Sequence, residues 1–356
     1  MSPTHRKVSV VCPMYNEAAA IEDNIARLKA CIATLPYATE VLLINDGSTD
    51  DTVARAARAV AGDPRFRLLS HRVNFGRGRA LRTGFREARG DIIVTTEADL
   101  SWGTDIIRRM VEALDNDPGL DAVFASTHLP GGGYRNVPRH RLWLSKLGNR
   151  ILRLLYSGNL SMTTGMTRAY RARVIQAHNF SYDGKEIHLE VAHRLLSFGR
   201  RVAEVPATLS WPEKTPAGAG RGQRTNWGKI LRLICTHLAF GLFNGISNVI
   251  GPIILLMTAL IGVFGGWAVW NMLHGLPSIY LANLTAVLVI LWVNLCLGYF
   301  LIYHTSHIET NVWRTQSMLR HLFNIHKLPP DPDDYYDEID LRQPVATPQG
   351  PAQPAA

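Results

Sequence analysis

The chain has 356 residues and a formal net charge of +9, which leaves room for a soluble domain of ordinary size and a further segment. No nucleic-acid-binding motif accompanies the basic balance, so a domain held against anionic lipid headgroups is favoured over a nucleic-acid binder. None of the four cysteines has CxxC spacing, which favours free thiols in a reducing compartment: Cys12, Cys31, Cys235 and Cys296.

The first hundred residues alternate between predicted strands and helices. Strands are predicted over 8–13, 40–44 and 66–70, and helices over 18–35, from about Thr52, and over 80–87. A fourth strand is predicted over 91–99. Four strand–helix repeats predict an α/β domain with a mostly parallel sheet.

The fourth predicted strand ends in two carboxylates, Glu97 and Asp99. Alternation along an extended chain points both side chains the same way, and ligands bind at the carboxyl ends of strands in such sheets. Two hard oxygen ligands suit Mg²⁺ or Mn²⁺, which in turn suits a diphosphate. The alternative is a strand that ends in two solvated acids.

The loop Asn74–Arg79 is rich in glycine and arginine. It has neither the GxGxxG spacing of a dinucleotide fold nor the GxxxxGK[ST] spacing of a phosphate loop, so neither NAD chemistry nor ATP hydrolysis is supported. Arg77 and Arg79 are candidates to meet a phosphate through fork-shaped donors. A basic surface turn is an equal alternative.

Two stretches, 248–270 and 279–303, contain no Asp, Glu, Lys or Arg, and each exceeds the roughly 20 residues that cross a bilayer as a helix. They predict a transmembrane hairpin, with a pair of buried core helices as the alternative. Basic residues flank the pair and are absent from the turn, which predicts that both termini are cytoplasmic: Lys229, Arg232, Arg314, Arg320 and Lys327. The polar start of the chain predicts no signal peptide.

Four regions are therefore expected: an α/β domain over 1–212, a loop and interfacial amphipathic helix over 213–247, two transmembrane helices over 248–303, and a cytoplasmic helix with a disordered acidic and Pro-rich tail over 304–356. The segment 212–226 is either a plain linker or a loop that closes over a bound donor. The helix over 229–243 is either interfacial or the start of a longer span.

Four motifs follow one another in order: 10–22 (VVCPMYNEAAAIE), 41–52 (VLLINDGSTDDT), 74–85 (NFGRGRALRTGF) and 97–102 (EADLSW). In order and spacing they resemble the motifs of inverting family 2 glycosyltransferases with the GT-A fold, over about residues 8–212. Later segments, with the paired apolar stretches, resemble the polyprenyl-phosphate glycosyltransferases: 129–133, 141–149, 163–165 and 187–206. The QxxRW signature of processive members is missing, so transfer of a single sugar is expected.

The resemblance implies roles for individual residues. The nucleotide pocket is expected to contain Pro13, Tyr15, Glu17, Asp46, Arg77 and Glu97. Glu97 and Asp99 are expected to hold Mg²⁺ or Mn²⁺, with Asp99 the more direct ligand because the family usually has Asp where Glu97 stands. A helix N-cap is the alternative for Asp46. Ser101 stands where the family often has Gln, which leaves the metal preference open.

For the acceptor side, the resemblance places Arg141 and Lys214 at the lipid phosphate, with Arg139 and Arg221 as competitors for the same work. Attraction to the membrane surface is the alternative for each. Glu190 is expected to bind sugar hydroxyls, and His188, which stands where glutamine is common, is a weaker candidate for the same site.

The expected reaction is transfer of one sugar from a nucleotide sugar to polyprenyl phosphate at the cytoplasmic face of a bacterial inner membrane. The resemblance also implies a homo-oligomer, either a tetramer or a dimer. One alternative is a different lipid acceptor such as diacylglycerol, which would need a general base that the sequence does not single out. Another is a catalytically silent membrane scaffold.

Overall fold

The computed structural model describes residues 6–137, 142, 160–210, 247–322 and 336–341. The chain divides into two compact units. The described part of the first contains 6–137, 142, 160–210, 317–322 and 336–341, and that of the second contains 247–316.

The first unit contains an eight-stranded sheet. Its strands are β1 Lys7–Met14, β2 Ala38–Asn45, β3 Phe66–His71, β4 Ile92–Thr95, β5 Ala122–Ser126, β7 Arg168–Arg171, β8 Val202–Pro206 and β10 Tyr336–Glu338. They lie in the order β10-β3-β2-β1-β4-β7-β5-β8. Strands β3, β2, β1 and β4 are mutually parallel, β7 is antiparallel to both of its neighbours, and β5 and β8 pair in parallel. A small parallel pair joins β6 Gly133–Arg135 to β9 Thr208–Ser210. The predicted α/β domain with a mostly parallel sheet is confirmed.

Both faces of the sheet are covered. The helices of this unit are α1 Ile21–Ala33, α2 Thr52–Val60, α3 Arg77–Glu87, α4 Asp105–Asn116, α5 Ala172–Ile175 and α6 Ile187–Ser197. Along β1, Val8 and Val10 lie in one buried cluster and Val11 lies in a second, so consecutive residues face different apolar layers. This is the pattern of a parallel sheet buried on both sides.

Three element boundaries matter for the site. Helix α2 begins at Thr52, as predicted. Helix α3 begins at Arg77 rather than at Ala80, so part of the Gly-rich loop forms the first turn of a helix. Strand β4 ends at Thr95 rather than at Asp99, so the prediction that strand alternation aims Glu97 and Asp99 was wrong, and a turn positions them instead.

The described part of the second unit consists of helical chain interrupted by a connection over 274–278. Helix α7 runs over Ser247–Leu273 and α8 over Ile279–Leu322. Two segments of these helices are long and apolar enough to cross a membrane, Ile250–Leu273 and Ile279–Thr305. Neither is buried inside the protein, which separates them from core helices of a soluble domain. Within this unit the indole Nε1 of Trp292 donates to Thr258 Oγ1 at 2.9 Å, which ties α8 to α7.

A separate surface helix was predicted over 304–326. Up to residue 322 this segment is instead the continuation of α8, which runs without a break from residue 279. The tail also differs from the predicted disorder over 336–341. There β10 pairs antiparallel with β3, and Arg67 holds Glu338 through two hydrogen bonds of 2.8 and 3.2 Å. The acidic strand β10 therefore joins the sheet at β3, where the basic side chain of Arg67 pairs with it.

Candidate active site

A pocket of about 390 Å³ opens where β1, β2 and β4 end, beside the start of α3. All seven residues predicted for the nucleotide and metal line it: Pro13, Tyr15, Glu17, Asp46, Arg77, Glu97 and Asp99. Asn74, Gly76, Gly184 and Lys185 also line it. The carboxyl ends of parallel strands converge at one edge of a sheet, which brings together motifs that are far apart in sequence.

The first wall of the pocket is a turn after β1. Asn16 has a φ of +54°, a left-handed conformation that Asn tolerates better than most residues. Its side chain donates to Thr49 Oγ1 at 3.3 Å and accepts from the Thr49 backbone at 2.9 Å, which ties this turn to the one after β2. The neighbouring Tyr15 side chain remains 43% exposed, so its ring is free to receive a flat ligand such as a base.

Asp46 is buried and fastens the Gly-rich loop. Its carboxylate accepts hydrogen bonds from the backbone of Phe75 at 3.1 Å and of Gly76 at 3.0 Å, and His71 Nδ1 lies 3.3 Å away. The N-cap alternative does not hold, because Asp50 accepts from the Thr52 backbone at the start of α2. A ligand N–H that binds Asp46 would share oxygens that already hold the loop.

The turn after β4, residues 97–102, carries two carboxylates and is called the acidic turn. It is held by hydrogen bonds within the turn. One oxygen of Glu97 accepts from Ser101 Oγ at 2.7 Å and from the indole Nε1 of Trp102 at 3.1 Å. Asp99 accepts from the Ser101 backbone through Oδ1 at 3.0 Å, and Oδ2 accepts no hydrogen bond among the described residues. Glu97 is therefore the more constrained carboxylate, and Asp99 has the freer oxygen.

Leu100 shows how tightly this turn is held. It has a φ of +48°, a left-handed conformation that costs a non-glycine residue on the order of 1–2 kcal/mol. The side chain is only 2% exposed, and its burial offsets that cost. Strain of this kind is common where a loop must present functional groups in one geometry.

Carboxylates dominate the electrostatics of the pocket. Burial and then the charge of Asp99 raise the pKa of Glu17, against an opposing effect of Arg77. Burial and then the charges of Asp99, Glu17 and Glu97 raise the pKa of the Cys12 thiol to about 12. Arg77 Nη1 lies 3.4 Å from Glu97 Oε1 and offsets part of this negative charge.

The two glycines of the Gly-rich loop are needed for a contact with the segment 181–186. A Cβ on Gly78 would lie 2.3 Å from the Tyr182 carbonyl oxygen, and one on Gly76 would lie 2.5 Å from that of Asp183. The Asp183 carbonyl instead accepts from the Gly78 backbone at 2.6 Å. Its carboxylate binds Arg79 at 2.7 and 3.0 Å, so Arg79 serves this contact rather than the pocket.

Glu190 lies away from the pocket lining. It is 2% exposed, pairs with Arg194 at 2.7 Å, and accepts from the backbone of Ser181 at 2.9 Å and of Tyr182 at 3.2 Å. His188 is also buried, and its carbonyl accepts from Arg168 at 2.8 Å. The structure therefore gives both residues internal partners, and Glu190 anchors the segment that contacts α3.

The four residues predicted for the acceptor side lie outside the described residues: Arg139, Arg141, Lys214 and Arg221. The predicted interfacial helix over 229–243 and the loop over 212–226 lie outside them as well. Their roles remain predictions.

Lys185 also lines the pocket, although no motif in the sequence singles it out. Partial burial and the charge of Arg77 lower its pKa, whereas the charges of Glu97 and Glu186 act in the other direction. Trp102 belongs to the 97–102 motif, but the motif does not predict its hydrogen bond to Glu97. Gly76 and Gly78 are the sequence signal for the contact between the Gly-rich loop and another segment, because a glycine pair allows such a close approach. The signal does not show that the segment is 181–186.

The donor set fits a hard divalent cation. The described residues contain no group of three or more His, Cys, Asp or Glu side chains arranged for a metal. Mg²⁺, however, is commonly bound by one or two carboxylates while substrate phosphates and water supply the rest. Glu97 and Asp99, whose Oδ2 accepts no hydrogen bond from the part of the chain that the structure describes, meet that requirement.

Comparison with known proteins agrees with the fold. The profile of "Glycosyl transferase family 2" matches residues 9–178. An undecaprenyl-phosphate mannosyltransferase from Micrococcus luteus is 30% identical over 209 residues, which are 57% of this chain and 83% of that protein. An undecaprenyl-phosphate 4-deoxy-4-formamido-L-arabinose transferase from Sodalis glossinidius is 31% identical over 57% of this chain, and the match spans only 60% of that relative.

The chain belongs to glycosyltransferase family 2 and is a glycosyltransferase. Among solved structures, glucosyl-3-phosphoglycerate synthase from Mycobacterium tuberculosis superposes with a TM-score of 0.50 at 22% identity, over 67% of this chain and 79% of that one. This likeness concerns the fold, which is the GT-A fold that the motifs predict.

Proposed function

We propose that this glycosyltransferase transfers one sugar from a nucleotide sugar to polyprenyl phosphate at the cytoplasmic face of a membrane. The observation that carries the proposal is that seven predicted nucleotide and metal residues line one and the same pocket. Two relatives whose names specify undecaprenyl phosphate support the acceptor class. Two long apolar helices that the protein does not bury support a membrane location.

The proposed chemistry is a direct displacement. A phosphate oxygen of the lipid attacks the anomeric carbon, a new C–O bond forms with inversion, and the bond to the diphosphate breaks with its electron pair on the leaving group. A phosphate monoester is already ionised near neutral pH, so the protein needs no strong base. Its main work is to position the reactants and to neutralise charge.

The described residues divide this work. Tyr15 offers an exposed ring to the base, and Asp46 keeps the Gly-rich loop against the pocket. Glu97 and Asp99 would hold Mg²⁺ or Mn²⁺, which when bound stabilises the charge of the departing diphosphate. Arg77 adds a positive charge from the start of α3.

Acceptor recognition is assigned to residues outside the described ranges. Arg141 is proposed to meet the lipid phosphate, with Lys214, Arg139 and Arg221 as further cationic candidates. We also propose that both termini are cytoplasmic, since basic residues flank the two apolar stretches and are absent between them. Assembly as a homo-oligomer is part of the same proposal.

A transfer assay tests the reaction. Purified protein in detergent receives a short polyprenyl phosphate, Mg²⁺ or Mn²⁺, and in turn UDP-, GDP- and other nucleotide sugars. We expect one donor to give a glycolipid and its nucleoside diphosphate only when the cation is present. Tight nucleotide binding without product from any donor would overturn the polyprenyl-phosphate acceptor.

A substitution tests whether the reaction takes place in this pocket. Asp99→Ala should lower turnover at least about 100-fold, because the carboxylate with the free oxygen is lost. Asp23→Ala is the matched control, since Asp23 is an exposed aspartate on α1 and lies outside the pocket lining. Normal turnover in Asp99→Ala would refute the proposed site.

A further inference from the structure

Two backbone N–H groups at the start of α3 are already paired within the protein. Helix N-termini often bind anions through unpaired N–H groups. Here the N–H of Gly78 donates to the Asp183 carbonyl at 2.6 Å, and the N–H of Arg79 points to the same oxygen at 3.3 Å. Two of the first donors of the helix are therefore taken up by the protein itself.

Arg79 is also unavailable to a ligand in the pocket. Its guanidinium forms a two-pronged ion pair with the Asp183 carboxylate, and its side chain is 11% exposed. Arg82 adds a third contact to that carboxylate at 3.0 Å. Only Arg77 of the three arginines contributes to the pocket lining.

The same contacts bring a different cation into the pocket. Asp183 is fastened to α3, and Glu190 holds the backbone of Ser181 and Tyr182 from within the core. The first half of the segment 181–186 is thus held by Glu190 at Ser181 and Tyr182 and by α3 at Asp183. Lys185, two residues after Asp183, lines the pocket together with Arg77, Glu97 and Asp99.

We propose that Lys185 is a donor-binding residue whose ammonium group pairs with the diphosphate of the nucleotide sugar. This inference deepens the proposed function and rests on it. Lys185 shares its pocket with Tyr15, Glu17 and Asp46, the residues assigned to the nucleotide, which favours the donor diphosphate over the lipid phosphate. Lysine suits this role because its long, flexible side chain can follow an oxyanion as a point charge.

The first measurement is calorimetric titration of the full-length protein with inorganic pyrophosphate and Mg²⁺, followed by UDP and GDP. Lys185→Gln should weaken pyrophosphate and nucleoside diphosphate binding about tenfold, which corresponds to about 1.4 kcal/mol. Affinity for the bare nucleosides uridine and guanosine should not change. Lys185→Arg, which keeps the charge, should recover most of the affinity.

Arg173→Gln is the matched control, because it removes one exposed cation of α5 that lies outside the pocket lining. Unchanged pyrophosphate affinity in Lys185→Gln would overturn the inference. A higher KM for polyprenyl phosphate with an unchanged KM for the donor would overturn it too, since Lys185 would then serve the acceptor.

The two proposals fail separately. If the wild-type protein transfers no sugar to polyprenyl phosphate, the proposed function falls, while pyrophosphate binding still reports on Lys185. If the wild-type protein transfers sugar and Lys185→Gln keeps its donor KM and its pyrophosphate affinity, only the Lys185 assignment falls.

Discussion

Glu190→Gln separates two roles for the most deeply buried carboxylate near the pocket. Resemblance to the family assigned Glu190 to sugar hydroxyls, whereas the structure shows both side chains of the Glu190–Arg194 pair to be 3% exposed. The carboxylate also accepts from two backbone N–H groups of the segment that carries Lys185. We therefore expect the substitution to act first on stability.

The size of the effect follows from the burial of the pair. Removing one partner of a buried ion pair costs about 3–5 kcal/mol, and glutamine, which keeps the shape and one acceptor oxygen, should fall at the lower end. For a domain of about 150–250 residues each kcal/mol moves Tm by roughly 2–4 °C, so about 3 kcal/mol predicts a fall of roughly 6–12 °C. The donor KM should rise as well, because the segment 181–186 loses its inner anchor.

Thermal unfolding in detergent, followed by intrinsic fluorescence, measures the shift, and donor kinetics below the transition measure the second effect. Glu112→Gln is the matched control, because Glu112 is exposed on α4 and a surface change of this kind alters stability by less than about 0.5 kcal/mol. An unchanged Tm together with a large fall in kcat/KM would refute the anchoring role and restore the sugar-binding one.

Two further substitutions test other parts of the chain. Arg141→Ala should raise the KM for polyprenyl phosphate more than it weakens nucleotide binding, and an equal loss of both would exclude the proposed acceptor role. Glu40→Gln should cost about 1–3 kcal/mol at pH 7, as judged by thermal unfolding, because the Glu40 carboxylate accepts from Ser9 at 2.5 Å, from the Arg89 backbone at 2.6 Å and from Lys7 at 3.1 Å. Burial opposes ionisation there, but these bonds outweigh it and lower the pKa of Glu40, so its stabilisation is present above about pH 4.3 and is lost as the pH falls through the lowered value. A pH-independent difference between Glu40→Gln and the wild type would contradict this account.

The sequence predicted the part of the fold that depends on local pattern. Buried β-branched runs gave β1 and β2, and turn chemistry gave the start of α2 at Thr52. Because parallel strands end at one edge, the residues that follow β1, β2 and β4 were predicted to meet, and Glu17, Asp46 and Asp99 do line one pocket.

The contacts that the sequence could not supply are non-local. Arg79 and Asp183 are 104 residues apart, and no periodicity connects them. Strand β4 ends at Thr95, and Glu97 in the turn that follows is bonded to Ser101 and Trp102, contacts that no strand periodicity predicts. The internal partners of Glu190 were not predictable for a similar reason, since a carboxylate in a motif looks the same whether it faces a ligand or a buried arginine.

The charges on the pocket lining bear on how the donor would bind. Four carboxylates, Glu17, Asp46, Glu97 and Asp99, lie on it, against the two cations Arg77 and Lys185. A diphosphate that enters alone meets an excess of negative charge, and in a partly desolvated site like charges repel strongly. A diphosphate accompanied by a divalent cation leaves the net charge of the pocket unchanged. The cation can then lie against the acidic turn and the diphosphate against the two basic side chains. If the proposed function holds, Lys185 and the cation therefore bind the same diphosphate. Removing either one should weaken the binding of the diphosphate by the other.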